Sequence, residues 1–144
     1  MPDLNRQAEL RTAIELLYFG YRAFTTHPDR ILEQRGLSRV HHRILYFVAR
    51  NPEIAINALL KILGVTKQSL NAPLRQLQQM KLVTVRAPEH DGRIKQLGLT
   101  PDGEKLEQQL TGTQVKQLDA ILRAAGPRAE AGWRTVMDAL AGRE

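Results

Sequence analysis

The sequence predicts a mainly α-helical fold that contains one small β-hairpin. Three observations predict this class: apolar residues recur at helical spacing along most of the chain, two short helical segments meet at a turn around Gly64, and two short β-prone runs flank an Asp-Gly turn. Two helices joined by a tight turn and followed by a hairpin predict a winged helix-turn-helix core. The longer helices before and after this core are expected to form a dimerisation layer that brackets it.

The composition fits one globular domain without a membrane span or a cysteine-based site. A chain of 144 residues with 42% hydrophobic and 25% charged side chains is ordinary for a soluble domain. It has no apolar run near the ~20 residues that span a bilayer, and the absence of cysteine excludes disulfides and thiolate zinc sites. We therefore expect a cytoplasmic protein with no membrane partner, and no motif predicts a cofactor.

The net charge of +6 is concentrated in the middle of the chain. Residues 37–100 hold ten basic and three acidic side chains, whereas residues 1–36 are neutral overall and residues 101–144 carry −1. A localised basic surface attracts a polyanion through phosphate neutralisation and counterion release. Nucleic acid is therefore the leading partner class.

The first segment predicts a helix from about Leu4 to Phe24. Its apolar stripe has helical spacing and consists of Leu10, Ala13, Ile14, Leu17, Tyr18 and Tyr21. Leu16 and Phe19 fall off this stripe, which indicates a second packing surface, either against another subunit or inside the same domain. The segment His27-Pro28-Asp29 predicts an interruption of the helix, because proline restricts both itself and the preceding residue.

A second helix is predicted from an N-cap at Ser38 to about Arg50. His41 and His42 are adjacent, so on a helix they point about 100° apart and cannot share a metal as a pair four residues apart could. The sequence therefore predicts no metal site here. A structural role for these histidines is favoured over a role in a ligand pocket.

A helix-turn-helix is predicted from two short helices that are joined by a tight turn at Gly64. Asn57 is expected to cap a compact helix that ends at Gly64, after a very short strand at Ile54-Ala55-Ile56, and Thr66 is expected to cap the next helix. The buried stripe of that second helix is Leu70, Leu74 and Leu77. Its opposite side carries Lys67, Gln68, Asn71, Arg75 and Gln78, with no acidic residue nearby. These side chains suit base edges in the major groove, although an ordinary solvated amphipathic helix has the same pattern.

The hairpin is predicted from strands at about 82–86 and 94–99, with Asp91-Gly92 in the turn. Arg93 is expected to reach a minor groove, with Asp91 holding it by a charge-assisted hydrogen bond. A plain hairpin with an exposed arginine is the alternative. Thr100-Pro101 then predicts the start of a helix to about Ala125, and Gly126-Pro127 separates it from a last helix with Trp133 on its apolar face.

The order of these elements resembles the multiple-antibiotic-resistance regulator (MarR) family over nearly the whole chain. The similarity is clearest from Leu59 to Val83 and from Asp91 to Leu106. The wing pattern of the family is matched by Asp91, Arg93, Leu99, Thr100 and Gly103. The resemblance implies one domain over residues 1–144, with a DNA-binding core at 37–100 and dimerisation helices at 1–36 and 101–144. It also implies a bacterial, nucleoid-associated homodimer that binds double-stranded DNA, usually as a repressor on a roughly palindromic operator.

The resemblance places the DNA contacts on the second helix of the core and on the wing. The positions expected near phosphates and base edges at the start of the helix are Thr66, Lys67, Gln68 and Ser69. Further along, Asn71 and Arg75 would face bases. On the wing, Arg93 would read the minor groove, Asp91 would hold it, and Lys95 would contact a phosphate.

Pro73 departs from a regular recognition helix, because it removes the bond to the Ser69 carbonyl at a typical cost of ~3 kcal/mol. The helix is therefore expected either to kink at Pro73 or to begin later, with Asn71 as its cap. Either arrangement would change the direction in which Asn71 and Arg75 point.

The family resemblance also implies release from DNA when a small molecule binds between the dimerisation and DNA-binding regions. The residues expected to line a pocket for an anionic aromatic effector are Tyr18, Tyr21, His41, His42 and Arg43. Unliganded core packing explains the same residues equally well.

Two other functions remain open at this point: an architectural DNA-binding protein that does not read sequence, and a winged-helix module that binds protein. An enzyme is the weakest option, because there is no cysteine, no Gly-rich phosphate loop and no metal-ligand spacing.

Overall fold

The computed structural model describes residues 3–88 and 94–143, and within these ranges it contains six helices and three strands. In chain order they are α1 (Leu4–Gln34), α2 (Arg39–Arg50), β1 (Ile54–Ala55), α3 (Ile56–Leu63), α4 (Lys67–Gln79), β2 (Val83–Arg86), β3 (Gln96–Leu99), α5 (Pro101–Ala125) and α6 (Pro127–Leu140). The predicted mainly helical class with a small sheet is confirmed.

The three strands form one antiparallel sheet in the order β1-β3-β2. Ile54 of β1 lies opposite Leu97, and Val83 of β2 lies opposite Leu99. The Ile56 N–H also donates to the Lys95 carbonyl at 3.2 Å. These bonds attach the base of the hairpin to the start of α3, so the wing and the helix-turn-helix share one framework.

The core is built mainly from leucines that α2, α3, α4, β3 and α5 contribute. The predicted stripe of α4 is confirmed, since Leu70, Leu74 and Leu77 are all buried. Burial of one such side chain stabilises the fold by about 1.5–3 kcal/mol. This packing turns the polar side of α4 toward solvent.

The predicted interruption of α1 at Pro28 is wrong, because the helix continues from Leu4 to Gln34. A proline here removes the hydrogen bond to the Phe24 carbonyl four residues earlier. Gln114 of α5 donates its Nε2–H to this carbonyl at 3.4 Å. Pro28 is itself buried, so packing and a partner distant in sequence compensate for the local defect.

The predicted helix ends are mostly confirmed. Ser38, Thr66 and Thr100 are N-caps, and Gly64 ends α3 in the left-handed conformation with φ 66°. The predicted cap at Asn57 is wrong, because α3 begins at Ile56, two residues earlier than predicted, with Ala55 as its N-cap. The Asn57 side chain is therefore available for another role.

Candidate nucleic-acid interface

The first turn of α4 is held by two reciprocal hydrogen bonds. The Thr66 hydroxyl accepts the Ser69 backbone N–H at 3.1 Å, and the Ser69 hydroxyl donates to the Thr66 carbonyl at 2.9 Å. The Thr66 hydroxyl acts as an acceptor in this pair, so its proton is available for donation to a phosphate oxygen. The Ser69 hydroxyl proton is instead donated within the turn. Both residues lie at the exposed start of α4, as predicted.

Pro73 lies inside α4, which runs without interruption from Lys67 to Gln79. The alternative in which the helix begins at Asn71 is therefore wrong. Ser69 is exposed, so water can satisfy the carbonyl that Pro73 deprives of its helical partner. Asn71 and the residues after Pro73 consequently belong to one helix.

A groove of about 570 Å³ lies between α4, the start of α3 and the base of the wing. Its polar lining consists of Lys67, Asn71, Arg75 and Gln78 from α4, together with Asn57 and Lys95. All six residues are exposed. Three cations and three amides thus face one concave surface without a carboxylate among its lining residues. Amides and guanidinium groups suit base edges, and lysines suit phosphates.

Four of the predicted DNA-binding residues are therefore gathered in the groove: Lys67, Asn71, Arg75 and Lys95. Thr66, Gln68 and Ser69 lie at the start of α4 but do not line the groove. The predicted wing residues Asp91 and Arg93 lie outside the described residues.

Two residues of the groove were missing from the predicted contacts. Helical periodicity had already placed Gln78 on the same polar side as Lys67, Asn71 and Arg75, although it was not among the predicted DNA contacts. Asn57 had no such signal, because it comes from another helix and had been interpreted as a cap.

A second cavity, of about 420 Å³, lies between α1, α2 and α5. Of the predicted effector residues, Tyr21, His42 and Arg43 line this cavity, whereas Tyr18 and His41 do not. Tyr18 is 63% exposed to solvent and His41 is only 6% exposed, so the predicted pocket is corrected at these two positions. Most of the remaining lining is apolar or aromatic and includes Phe24, Tyr46, Phe47, Val115 and Leu118.

The two arginines of this cavity differ in how their charge is balanced. Arg39 donates from Nε to Asp29 at 2.9 Å, and its guanidinium carbon lies 5.5 Å from the centre of the Tyr21 ring. Arg43 donates instead to the neutral Tyr21 hydroxyl at 2.8 Å. Arg43 therefore brings a positive charge to the cavity that this hydroxyl does not neutralise.

The two histidines of α2 face different surroundings. His42 Nε2 lies 3.1 Å from Thr111 Oγ1 in the cavity wall, and burial lowers its pKa despite the opposing effect of Asp29. His41 Nε2 lies 2.9 Å from Gln76 Oε1 of α4, and burial also lowers its pKa. His41 is thus buried and hydrogen-bonded at both ring nitrogens.

In the part of the chain that the structure describes, no helix is long and apolar enough to cross a membrane. The same residues contain no group of three or more His, Asp or Glu side chains that could hold a metal ion.

Comparison with known proteins gives a consistent result. The sequence profile of the MarR family matches residues 35–94, from the end of α1 to the base of the wing. The HTH-type transcriptional regulator PetP of Rhodobacter capsulatus is 46% identical over 132 residues, which cover 92% of this chain and 80% of that protein.

Two solved structures share the fold. A MarR family transcription regulator, SP03579, matches with a TM-score of 0.78 at 20% identity, over 95% of this chain and 91% of that one. NadR in complex with 4-hydroxyphenylacetate matches with a TM-score of 0.73 at 26% identity, over 89% of this chain and 91% of that one.

Proposed function

This protein belongs to the MarR family, and from this premise we propose that it is a homodimeric, sequence-specific regulator of transcription that binds double-stranded DNA. The observation that carries the proposal is the groove along α4, where three cations and three amides converge. A concave surface whose described lining carries three cations and no carboxylate attracts a polyanion and presents donors and acceptors to base edges. The protein is a regulator rather than an enzyme.

In the proposed complex, α4 enters the major groove. Its 13 residues span about 20 Å. Arg75 binds a guanine edge, and Asn71 and Gln78 bind adenine edges, because these side chains form paired hydrogen bonds with those bases. Lys67 and Lys95 neutralise phosphates on either side and fix the register of the helix. From the sequence, Arg93 is proposed to enter the minor groove with Asp91 as its holder.

The homodimer is proposed to form through α1, α5 and α6. The side chains of α1 are exposed from Leu4 to Ala23, although many are large and apolar, and α6 buries none of its residues within the single chain. Ile14 is 65% exposed, and Val136 and Leu140 are each 63% exposed. Because α1 contacts α5 and α5 contacts α6, these helices form one layer whose apolar side chains a second copy would cover.

This layer supports the proposed division of a single domain into a core at residues 37–100 and dimerisation helices at 1–36 and 101–144. A two-fold dimer binds an inverted repeat whose half-sites lie about one helical turn, ~34 Å, apart. The proposed location is the cytoplasm, on the nucleoid.

The cavity between α1, α2 and α5 is the proposed site of an anionic aromatic effector. Arg43 would bind its carboxylate, while Phe24, Phe47 and Leu118 would contact its ring. The solved NadR complex contains 4-hydroxyphenylacetate, a compound of this class. Binding there is proposed to release a repressor from its operator, since the cavity adjoins both α1 and α2.

Selection of bound fragments from a random DNA pool tests the proposal. The selected duplex is then titrated against a scrambled duplex at ~150 mM salt, where only a sequence-specific protein shows a large affinity ratio. An enriched inverted repeat is expected. Binding without an enriched motif would support an architectural protein, and no binding to any DNA, with or without effector, would support a protein-interaction module.

A further inference from the structure

A chain of hydrogen bonds joins α4 to the corner between α1 and α2. Gln76, half-buried on the inner side of α4, donates its Nε2–H to the Gly36 carbonyl at 3.1 Å. Gln76 Oε1 lies 2.9 Å from His41 Nε2, and His41 Nδ1 accepts the Ser38 backbone N–H at 3.0 Å. One polar side chain of the helix proposed to read DNA is therefore bonded both to α2 and to the corner that precedes α2.

The direction of each hydrogen bond in this series follows from the groups at its two ends, the Gly36 carbonyl and the Ser38 backbone N–H. The Gly36 carbonyl can only accept, so Gln76 presents its amide nitrogen there and its oxygen to His41. His41 must then carry its proton on Nε2, which leaves Nδ1 to accept from Ser38. This is the neutral imidazole, the form that burial favours. Each of these three hydrogen bonds therefore pairs one donor with one acceptor.

The position of Gln76 links this series of hydrogen bonds to the proposed reading of DNA bases by α4. It directly follows Arg75, so any rotation of α4 that displaces Gln76 displaces Arg75 by the same angle. The neighbouring Leu74 and Leu77 bury α4 against the core, but the hydrophobic effect that drives this burial is itself non-directional. Hydrogen bonds depend steeply on angle and distance, so they can set the rotation of α4.

We propose that Gln76 and His41 are positioning residues for sequence reading, because they set the rotation of α4 against the corner at Gly36. This inference rests on the proposed function. Neither side chain has to touch DNA, since His41 is buried and Gln76 points inward. Because the corner immediately follows α1, the same bonds also orient each α4 relative to its copy across the dimer and hence to the second half-site.

The test compares Gln76→Leu with Gln79→Leu, which changes an exposed glutamine of the same helix outside the groove. For each variant, Kd is measured on the selected operator and on scrambled DNA, together with Tm. Gln76→Leu is expected to reduce the ratio of the two affinities about tenfold, which corresponds to about 1.4 kcal/mol. Gln79→Leu is expected to change the ratio less than about twofold. A merely structural role would lower Tm and both affinities together and leave the ratio unchanged, which would overturn the inference.

Variants at His41 give a second, independent readout. Glutamine offers an acceptor and an N–H donor on one planar group, as neutral imidazole does, and it suits this third position of a capped helix. His41→Gln is therefore expected to keep the affinity ratio within about threefold of the wild-type value, while His41→Leu loses about tenfold. Equal ratios for these two variants would contradict a positioning role.

The failure of the inference differs from the failure of the proposed function. A wild-type protein that binds operator and scrambled DNA equally would refute sequence reading and the inference with it. A wild-type protein with a large ratio that Gln76→Leu and His41→Leu both retain would refute the inference alone.

Discussion

Replacing Arg75 by alanine tests whether the groove reads base sequence. Arg75 is exposed and lines the groove on the same face of α4 as Lys67. Its guanidinium can donate two parallel hydrogen bonds to a guanine edge, and one such pair contributes about 1–3 kcal/mol of discrimination. This corresponds to roughly 5- to 150-fold in affinity ratio for one half-site. Because a two-fold operator contains two half-sites, the ratio of the dimer is expected to fall by at least about 25-fold.

The assay is fluorescence anisotropy with the selected operator and a scrambled duplex of the same length, from about 50 to about 200 mM salt. Lys67→Ala is the matched control, since it removes a cation from the same groove. It is expected to weaken binding to both duplexes evenly and to reduce the salt slope by about 0.9 for each lost phosphate contact. Arg75→Ala is expected to reduce mainly binding to the operator.

One result would refute this reasoning. If Arg75→Ala weakens binding to both duplexes equally and reduces the salt slope as Lys67→Ala does, then Arg75 binds phosphate and the proposed docking of α4 is wrong. Unfolding in urea distinguishes either outcome from a loss of folded protein.

Four further predictions concern stability, pH, assembly and the effector. A Cβ at Gly103 would overlap the Leu82 carbonyl, so Gly103→Ala is expected to lower the free energy of unfolding by about 1–3 kcal/mol in urea. Gly112→Ala, in the same helix with no atom within 4 Å of the added Cβ, is the control and should raise it by about 0.5–1 kcal/mol. Burial lowers the pKa of both histidines of α2 below 6.5 in the folded state. The stability that they contribute to the fold is therefore fully present above pH 6.5 and is lost as the pH falls through the lower folded pKa values. A variant with both histidines replaced by glutamine that shows the same loss of stability would contradict this. Val136→Lys is expected to shift the dimer toward monomer in sedimentation equilibrium, because the charge would enter the apolar layer; an unchanged dimer would place the interface elsewhere. Arg43→Ala is expected to weaken 4-hydroxyphenylacetate binding at least about tenfold by calorimetry, which is about 1.4 kcal/mol; unchanged binding would exclude Arg43 as the carboxylate ligand.

Two prolines show where local rules fail. Pro28 and Pro73 each remove a helical hydrogen bond, and the sequence predicted a break at the first and a kink or a late start at the second. Both lie inside continuous helices, so the break at Pro28 and the late start at Asn71 are wrong, whereas the kink at Pro73 stays a prediction. The carbonyl freed by Pro28 accepts from Gln114, which is 90 residues further along the chain than Phe24. A rule based on neighbouring residues contains no information about such a partner.

The candidate site also divides into residues that the local sequence pattern predicts and residues that only tertiary packing brings together. The face of α4 that carries Lys67, Asn71 and Arg75 follows from helical periodicity, so it was predictable. The addition of Asn57 and Lys95 to that face depends on how α3 and the wing pack against α4. The lining of the proposed effector cavity was predicted only in part for the same reason, since its α5 wall is contributed from a distant part of the chain.

The sequence by itself determined the N-caps at Ser38, Thr66 and Thr100, the turn at Gly64 and the buried stripe of α4, because these depend on residues within a few positions of one another. Only the tertiary structure decided which side chains meet across elements. Gln76 binds His41 across 35 positions and Gly36 across 40. Contacts at such separations depend on how the core packs, because the buried leucines hold the helices in place.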